Sequence, residues 1–305
     1  MMRLSTAQRA RQSIEQMTQR QAEISTLQKQ VSSGDRVLKP SDDPAAAAQA
    51  ERTRSQVARM DVEKRMLGFA QLKLAQAESA TGEGTDLFQR ARELLIGANN
   101  DTNSPADRAL YAQELTGIRD ALFGLANRSD GLGGFVFGGA GIRQAPFVEG
   151  ANGIEFIADS GSQFTGSNPS LTISVDGRNL FGTSNGAGVT AVFDMIDDVV
   201  DIMENEGAAA DDVHNGINDA INGIDDAIGR FSSTRAVLGE QMAAADRAVA
   251  SLELGEELAA QRISDLTGVD MAEAISALSA KNTQLDAAMQ TYVQISGLSL
   301  FNYIR

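Results

Sequence analysis

Cysteine and tryptophan are both absent from the 305 residues, histidine occurs once, and tyrosine occurs three times. Without thiols there can be no disulfide framework and no thiolate metal site. The compartment stays open, because a protein held by helix packing needs no staples in any of them. Aromatic poverty argues against a base-stacking platform and against a deep aromatic ligand pocket. Positive charge is also short: 26 Lys and Arg stand against 41 Asp and Glu, a net −15. That balance repels phosphate backbones, so nucleic acid is not an expected partner. Long apolar runs are missing as well. The start, MMRLSTAQRARQSIEQMTQRQ, lacks the apolar core of a secretory signal, and no stretch approaches the ~18 apolar residues of a membrane span. The expectation is a soluble protein with no membrane insertion that, if it works outside the cell, leaves by a route that reads no cleaved signal.

What the chain does have is helical periodicity. From Ile217 through Ile221, Ile224, Ile228 and Phe231 to Ile263 and Leu266, seam positions alternate in steps of four and three, broken only by Arg235 and Glu256. This is the pattern of a left-handed helical seam, and at 1.5 Å per residue it predicts a rod of roughly 75 Å. Gly268 follows the last seam residue, suiting a helix C-terminal stop. Asp270 with Glu273 three residues on reads as an N-cap and capping box. A new seam then runs Met271, Ile275, Leu278, Asn282, Leu285, Met289, Tyr292, with the single Asn expected to fix register.

The N-terminal side mirrors this. Ile14, Met17, Ile24, Leu27 and Val31 mark a helix of about 30 residues that ends near Ser32-Ser33-Gly34. In Lys39-Pro40-Ser41-Asp42-Asp43-Pro44, Asp43 can cap the next helix with Pro44 at its first position. That helix carries Met60, Leu67, Leu74, Thr81, Phe88 and Leu95 at strict sevens. A third helix starts after Ser104-Pro105-Ala106-Asp107. Between about Gly131 and Gly188 glycine is dense and the period drops to two, as in Leu171, Ile173 and Val175, with Asp176-Gly177 reading as a tight turn.

The fold expected is mainly α, an elongated rod of long coiled-coil helices built from both chain ends, with a small β-rich insert domain. Its parts would be terminal helical arms (1–43 plus 269–305), a long helical rod (44–130 plus 189–268) and an outer insert (131–188). Pro40, Asp43, Pro44, Gly268 and Asp270 would be the hinges. Matched arms on matched hinges imply that the termini lie side by side. Two such helices leave much apolar surface wet, so the arms are expected to order fully only when neighbouring copies cover them.

Sharper chemical readings are weaker than bland ones. Asp194, Asp197, Asp198 and Asp201 share a helix face and suit a solvated helix start more than a metal patch. Asp211 to Asn222 has a glycine where a calcium loop wants one but lacks its closing Glu. Gly186-Ala187-Gly188-Val189-Thr190-Ala191 fits a dinucleotide fingerprint but follows a loop where that motif needs a strand. His214 has no second histidine or cysteine to work with. The basic N-terminal arm, with Arg3, Arg9, Arg11, Arg20, Lys29, Arg36 and Lys39, has too narrow an apolar face for a membrane binder and suits helix pairing, or acidic surfaces on neighbouring subunits. No nucleophile is placed with a base. The expectation is a non-enzymatic structural subunit with no metal and no cofactor.

Read together, the ends carry a resemblance. Val31-Ser32-Ser33-Gly34-Asp35-Arg36-Val37-Leu38-Lys39-Pro40-Ser41-Asp42-Asp43-Pro44-Ala45-Ala46-Ala47 resembles the N-terminal region of bacterial flagellin-like axial proteins. Its Pro-Ser-Asp-Asp-Pro form is similar to the hook-associated members. Ser299-Leu300-Phe301-Asn302-Tyr303-Ile304 is similar to the family's ending, with Asn302 where an acidic residue is expected. Gly134-Phe135-Val136-Phe137-Gly138-Gly139 and Gln144-Ala145-Pro146-Phe147 look like the entry to its outer domain. The resemblance implies a structural protein of the flagellum, forming a junction layer between hook and filament, exported through the flagellar type III apparatus and located outside the cell. Its partners would be copies of itself, hook-associated protein 1, flagellin and a cytoplasmic export chaperone. The assembly interface would be Ile14, Met17, Ile24, Leu27 and Val31 on one arm and Met271, Ile275, Leu278, Asn282, Leu285, Met289 and Tyr292 on the other. The rivals are flagellin itself, which shares the helical arms but usually has an Asn-rich start and a Gln- and Leu-rich tail, and a type III-secreted coiled-coil translocator or adhesin.

Overall fold

A computed structural model describes the backbone of residues 2–131, 133–139, 144–150, 153–158, 163–165, 168–183 and 190–301, and the side chains of these except 2–7, 9, 10, 164, 165, 168–170 and 295–301. Seven helices and four strands are present among the described residues. The chain divides into two compact units, one from residues 1–60 with 253–305 and the other from 61–252. The sequence reading drew its boundaries at the helix breaks near 43 and 269. The structural division falls inside two long helices, α2 (Pro44–Ala98) and α6 (Ala210–Thr267).

In the first unit, helix α1 (Met2–Ser33) packs antiparallel against α7 (Met271–Phe301). The helix ends are set by local chemistry. Asp43 Oδ1 accepts the Ala46 amide at 3.0 Å, so α2 opens at Pro44 with a satisfied donor. Asp270 Oδ1 accepts the amides of Ala272 and Glu273 at 2.9 and 3.1 Å and opens α7. Pro40 sits in the turn before α2, where Asp42 Oδ2 accepts the amides of Leu38 and Lys39. Gly268 differs from expectation. It is not among the glycines with positive φ, whereas Gly34, at the end of α1, is at φ 78°. Glycine is needed at 268 because a Cβ there would collide with the Ser264 carbonyl. The constraint is close approach, not a left-handed turn.

In the second unit, α3 (Pro105–Ala126) starts with a complete capping box, Ser104 and Asp107 each bonding the other's amide. Helix α5 (Ala191–Glu204) packs on α3. Strands β1 (Phe147–Gly150) and β2 (Gly153–Phe156) form one antiparallel hairpin in the register Phe147 to Phe156. Strands β3 (Phe164–Thr165) and β4 (Asn168–Thr172) form another, irregular one. Leu171, Ile173 and Val175 are buried in alternation, but pairing stops at Thr172. Asp176-Gly177 is not a turn between strands. Asp176 caps a short helix, α4 (Gly177–Phe181), by accepting the Arg178 amide at 2.9 Å. Gly177 is required there because a Cβ would press on the Phe137 carbonyl and the Phe147 ring, each at 2.8 Å.

The insert is not a separate core. Phe137, Phe147 and Phe181 from it and Phe88, Phe193 and Phe231 from the helices are all fully buried in one cluster. Phe88 meets Phe231 edge to face at 5.0 Å and Phe181 meets Phe231 so at 5.3 Å, while Phe181 and Phe193 stack at 5.6 Å, geometry that adds to simple area burial. The heptad residues Leu67, Leu74, Thr81, Phe88 and Leu95 of α2 and Ile217, Ile224, Phe231 and Leu238 of α6 are buried. Arg235, a break in the α6 seam, lies over Gly82 and pairs with Glu78 at 2.6 Å.

Candidate assembly site

The chain ends meet along one seam in the first unit. On α1, Ile24 is buried, Met17, Leu27 and Val31 are half-buried, and Ile14 is exposed. On α7, Leu278, Leu285 and Tyr292 are half-buried, while Met271, Ile275, Asn282 and Met289 are exposed, Ile275 at 52% and Met289 at 44%. The sequence reading placed all seven α7 residues on one seam. The structure splits them. The residues completing the inner face are Ala274, which is buried, and Lys281 and Ala288, which are half-buried. The inner seam therefore runs 274, 278, 281, 285, 288, 292, again in steps of four and three. It overlaps the expected one at every second position.

Ala274 and Ala288 let the two helices approach, and the larger Ile275 and Met289 lie one position outside that face. Ile275, Asn282 and Met289 each directly follow the residue that faces α1. Asn282 is thus not the register device. That role falls to charge and backbone: Lys281 Nζ bonds Glu23 Oε2 at 2.6 Å, and Arg20 Nη1 bonds the Gln284 carbonyl at 3.3 Å. The lysine lays its methylene stem along the seam and its ammonium at the edge. Glu23 is held below its ordinary carboxylate pKa by the Lys281 hydrogen bond first and that ammonium's charge second.

The exposed residues are not scattered. At 100° per residue, Met271, Ile275, Asn282, Met289 and Val293 fall within about 40° of one another, forming a stripe beside the inner seam. Leu254 and Leu258 of α6 are exposed in the same unit. A row of large apolar side chains open to water on helices that already have one partner is what an association surface leaves uncovered.

Below the seam the two linkers are joined. Asp35 and Gly268 form an antiparallel bridge. The Arg36 amide donates to Thr267 O at 2.7 Å and the Val269 amide to Gly34 O at 3.0 Å. Sequence places Arg36 only among the basic residues of the N-terminal arm, because its partner at residue 266 is 230 positions away.

Other marked residues fall in structural roles. Arg119 grips Asp197 with two bonds of 3.0 and 3.2 Å. Asp198 is pushed above the ordinary carboxylate range, first by burial and then by Asp194, Asp201 and Asp197. No cluster able to hold a metal occurs among the described residues. His214 lies in the first turns of α6 against Asn99 and Asp101. Residues Gly186 to Val189 of the glycine-rich motif, and Asn302 to Ile304 of the terminal motif, lie outside the described residues. No described helix is long and apolar enough to cross a membrane.

Two helical ends that fold as partners around a glycine-rich middle define a flagellin-type class. Residues 4–141 match the bacterial flagellin N-terminal helical region and residues 221–304 match the C-terminal helical region. Flagellar hook-associated protein 3 of Escherichia coli strain K12 is 32% identical over 98% of this chain and 99% of its own length. The flagellin of Bacillus subtilis is 26% identical over 85% of this chain and 84% of its own. The flagellar junction protein FlgL of Legionella pneumophila, 15% identical, shares the fold with a TM-score of 0.58 over 72% of this chain and all of its own. The chain belongs to the bacterial flagellin family, in the company of flagellar hook-associated protein 3.

Proposed function

We propose that this chain is a structural axial protein of the bacterial flagellum that forms the junction layer between hook and filament. The observation that carries the reading is the end-to-end match to a hook-associated protein 3, over nearly the whole of both chains, where the Bacillus subtilis flagellin matches less of each at lower identity. The exposed stripe on α7 supplies the physical means, since an axial subunit must meet neighbours through surface that its own fold leaves open.

In this reading α1 and α7 form the inner, polymer-contacting part, with Met271, Ile275, Asn282 and Met289 turned to neighbouring copies. Leu278, Leu285 and Tyr292 hold α7 to α1, and Ile14 extends the contact at the outer end of α1. The layer meets hook-associated protein 1 on one side and flagellin on the other. Before export through the type III apparatus a cytoplasmic chaperone covers the same apolar stripe, and the assembled protein is extracellular. Its role is mechanical and not catalytic.

A strain deleted for the gene tests this. It should keep its hooks, lack filaments and release flagellin into the medium, with all three restored by the intact gene. A strain that loses its hooks, or that still builds filaments on them, would refute the junction role.

A further inference from the structure

We propose that Arg36 is a positioning residue that locks the two arms to the ends of the long helices, so that α1 and α7 present their apolar stripe as one unit. The proposal rests on the assembly reading above. It starts from an unmet need. The last carbonyls of α6 have no partners within the helix. Ser264 O is taken by the Gly268 amide at 2.7 Å. Arg36 serves two of the rest: its amide donates to Thr267 O at 2.7 Å and its guanidinium Nη2 to Leu266 O at 3.0 Å. A cation there also meets the negative end of the α6 dipole.

The same residue reaches the other helix ends. Nη2 lies 3.3 Å from Asp43 Oδ2, and the second oxygen of Asp43 caps α2. The Arg36 carbonyl accepts Gln30 Nε2 at 2.7 Å from the last turns of α1. The Asp35–Gly268 bridge and the Val269-to-Gly34 bond, made by the two residues before Arg36, carry the tie to the start of α7. Three helix ends thus converge on Arg36, and the fourth is tied through its neighbours Asp35 and Gly34. The ion pair alone contributes little, since Arg36 is half exposed and Asp43 about a third exposed. The value lies in geometry: the two hydrogens of one Nη2, held in a rigid plane, address a carbonyl and a carboxylate together, whereas a lysine ammonium on its flexible stem has no fixed direction.

The absence of native cysteine gives the test a clean chemistry. Arg36 and Thr267 lie opposite each other next to the Asp35–Gly268 bridge, their backbones joined by the 2.7 Å amide-to-carbonyl bond, a close approach of the kind a disulfide requires. Purified full-length protein is added to hooks from a strain that lacks it, and bound protein is measured. Amide exchange on the free protein is read in parallel. Arg36→Ala should keep its helix content, lose protection at the Val269 amide and bind about tenfold less, the scale of one lost charge-assisted hydrogen bond. Arg36→Lys should recover part of both.

The double variant Arg36→Cys/Thr267→Cys should bind when oxidised and fail when reduced. Unchanged Val269 protection in Arg36→Ala, or unchanged binding, overturns the proposal. So does a formed disulfide that does not restore binding, because Arg36 would then be acting on a neighbour. Wild-type protein that does not bind hooks overturns the junction reading instead, while Val269 protection still decides the lock.

Discussion

Glu23 and Lys281, 258 positions apart in sequence, close a 2.6 Å ion pair across the two chain ends. The pair sits where α1 and α7 must agree on register, and it makes that agreement sensitive to acid. A carboxyl held below its ordinary range contributes stability that is present above the unfolded-state value and lost as pH falls through the lower folded one. Asp43 is shifted the same way, first by the Ala46 amide it accepts and then, against the effect of burial, by Arg36. Amide protection in residues 20–27 and 278–285 should therefore fall as pH drops below about 4. Glu23→Gln should lower the protection at neutral pH and flatten its pH dependence. The swap Glu23→Lys with Lys281→Glu should restore neutral-pH protection where either single change lowers it.

The two stripes on α7 can be separated by substitution. Leu285→Asp places a charge against α1 and should reduce both arm pairing, read by amide exchange, and incorporation. Met289→Asp lies on the exposed stripe and should abolish incorporation with protection of the α1–α7 seam unchanged. Equal loss of protection in both variants would mean the stripes are not distinct. In both, the second unit should keep its melting transition, because neither residue belongs to it.

Gly84 is a notch cut for Phe231: a Cβ there would collide with that ring, and Phe231 is fully buried. Gly84→Ala should destabilise the second unit by about 1–3 kcal/mol through overpacking. Phe231→Ala should cost about 3–5 kcal/mol through the cavity it leaves. Gly84→Ala combined with Phe231→Leu should cost less than the sum of the separate changes, since the smaller side chain gives the new methyl room. Denaturant melts of these three variants and of Phe231→Leu alone measure this.

Asp198 presents the opposite sign to Glu23. Its carboxyl is raised by burial and by three like charges, so ionisation opposes folding as pH rises. Asp198→Asn should raise the melting temperature at neutral pH, and the gain should vanish in acid where both forms are neutral. A variant equally stabilised at all pH values would point to packing and not charge.

Local sequence decided a good deal here. The existence and length of the long helices follow from heptads, and their starts follow from Asp43-Pro44, Ser104-Pro105 and Asp270, because a cap needs only side chains within three residues of the amides it serves. The paired termini were legible from two arms of matched length on matched breaks. What sequence could not fix was rotation. On α7, two overlapping series with the same four-three spacing compete, and choosing 274, 281 and 288 over 275, 282 and 289 depends on the shape and charge of α1, where Ile24 needs small neighbours and Glu23 needs Lys281. Tertiary contact likewise decided why residue 177 must be glycine, with the Phe137 carbonyl and the Phe147 ring pressed against it. It also drew the phenylalanines of the β-rich insert into the helical core, and it brought Arg36 to the end of a helix 230 residues away. Periodicity records which faces of a helix are apolar; only the partner, through close packing and paired charge, selects the face that turns inward.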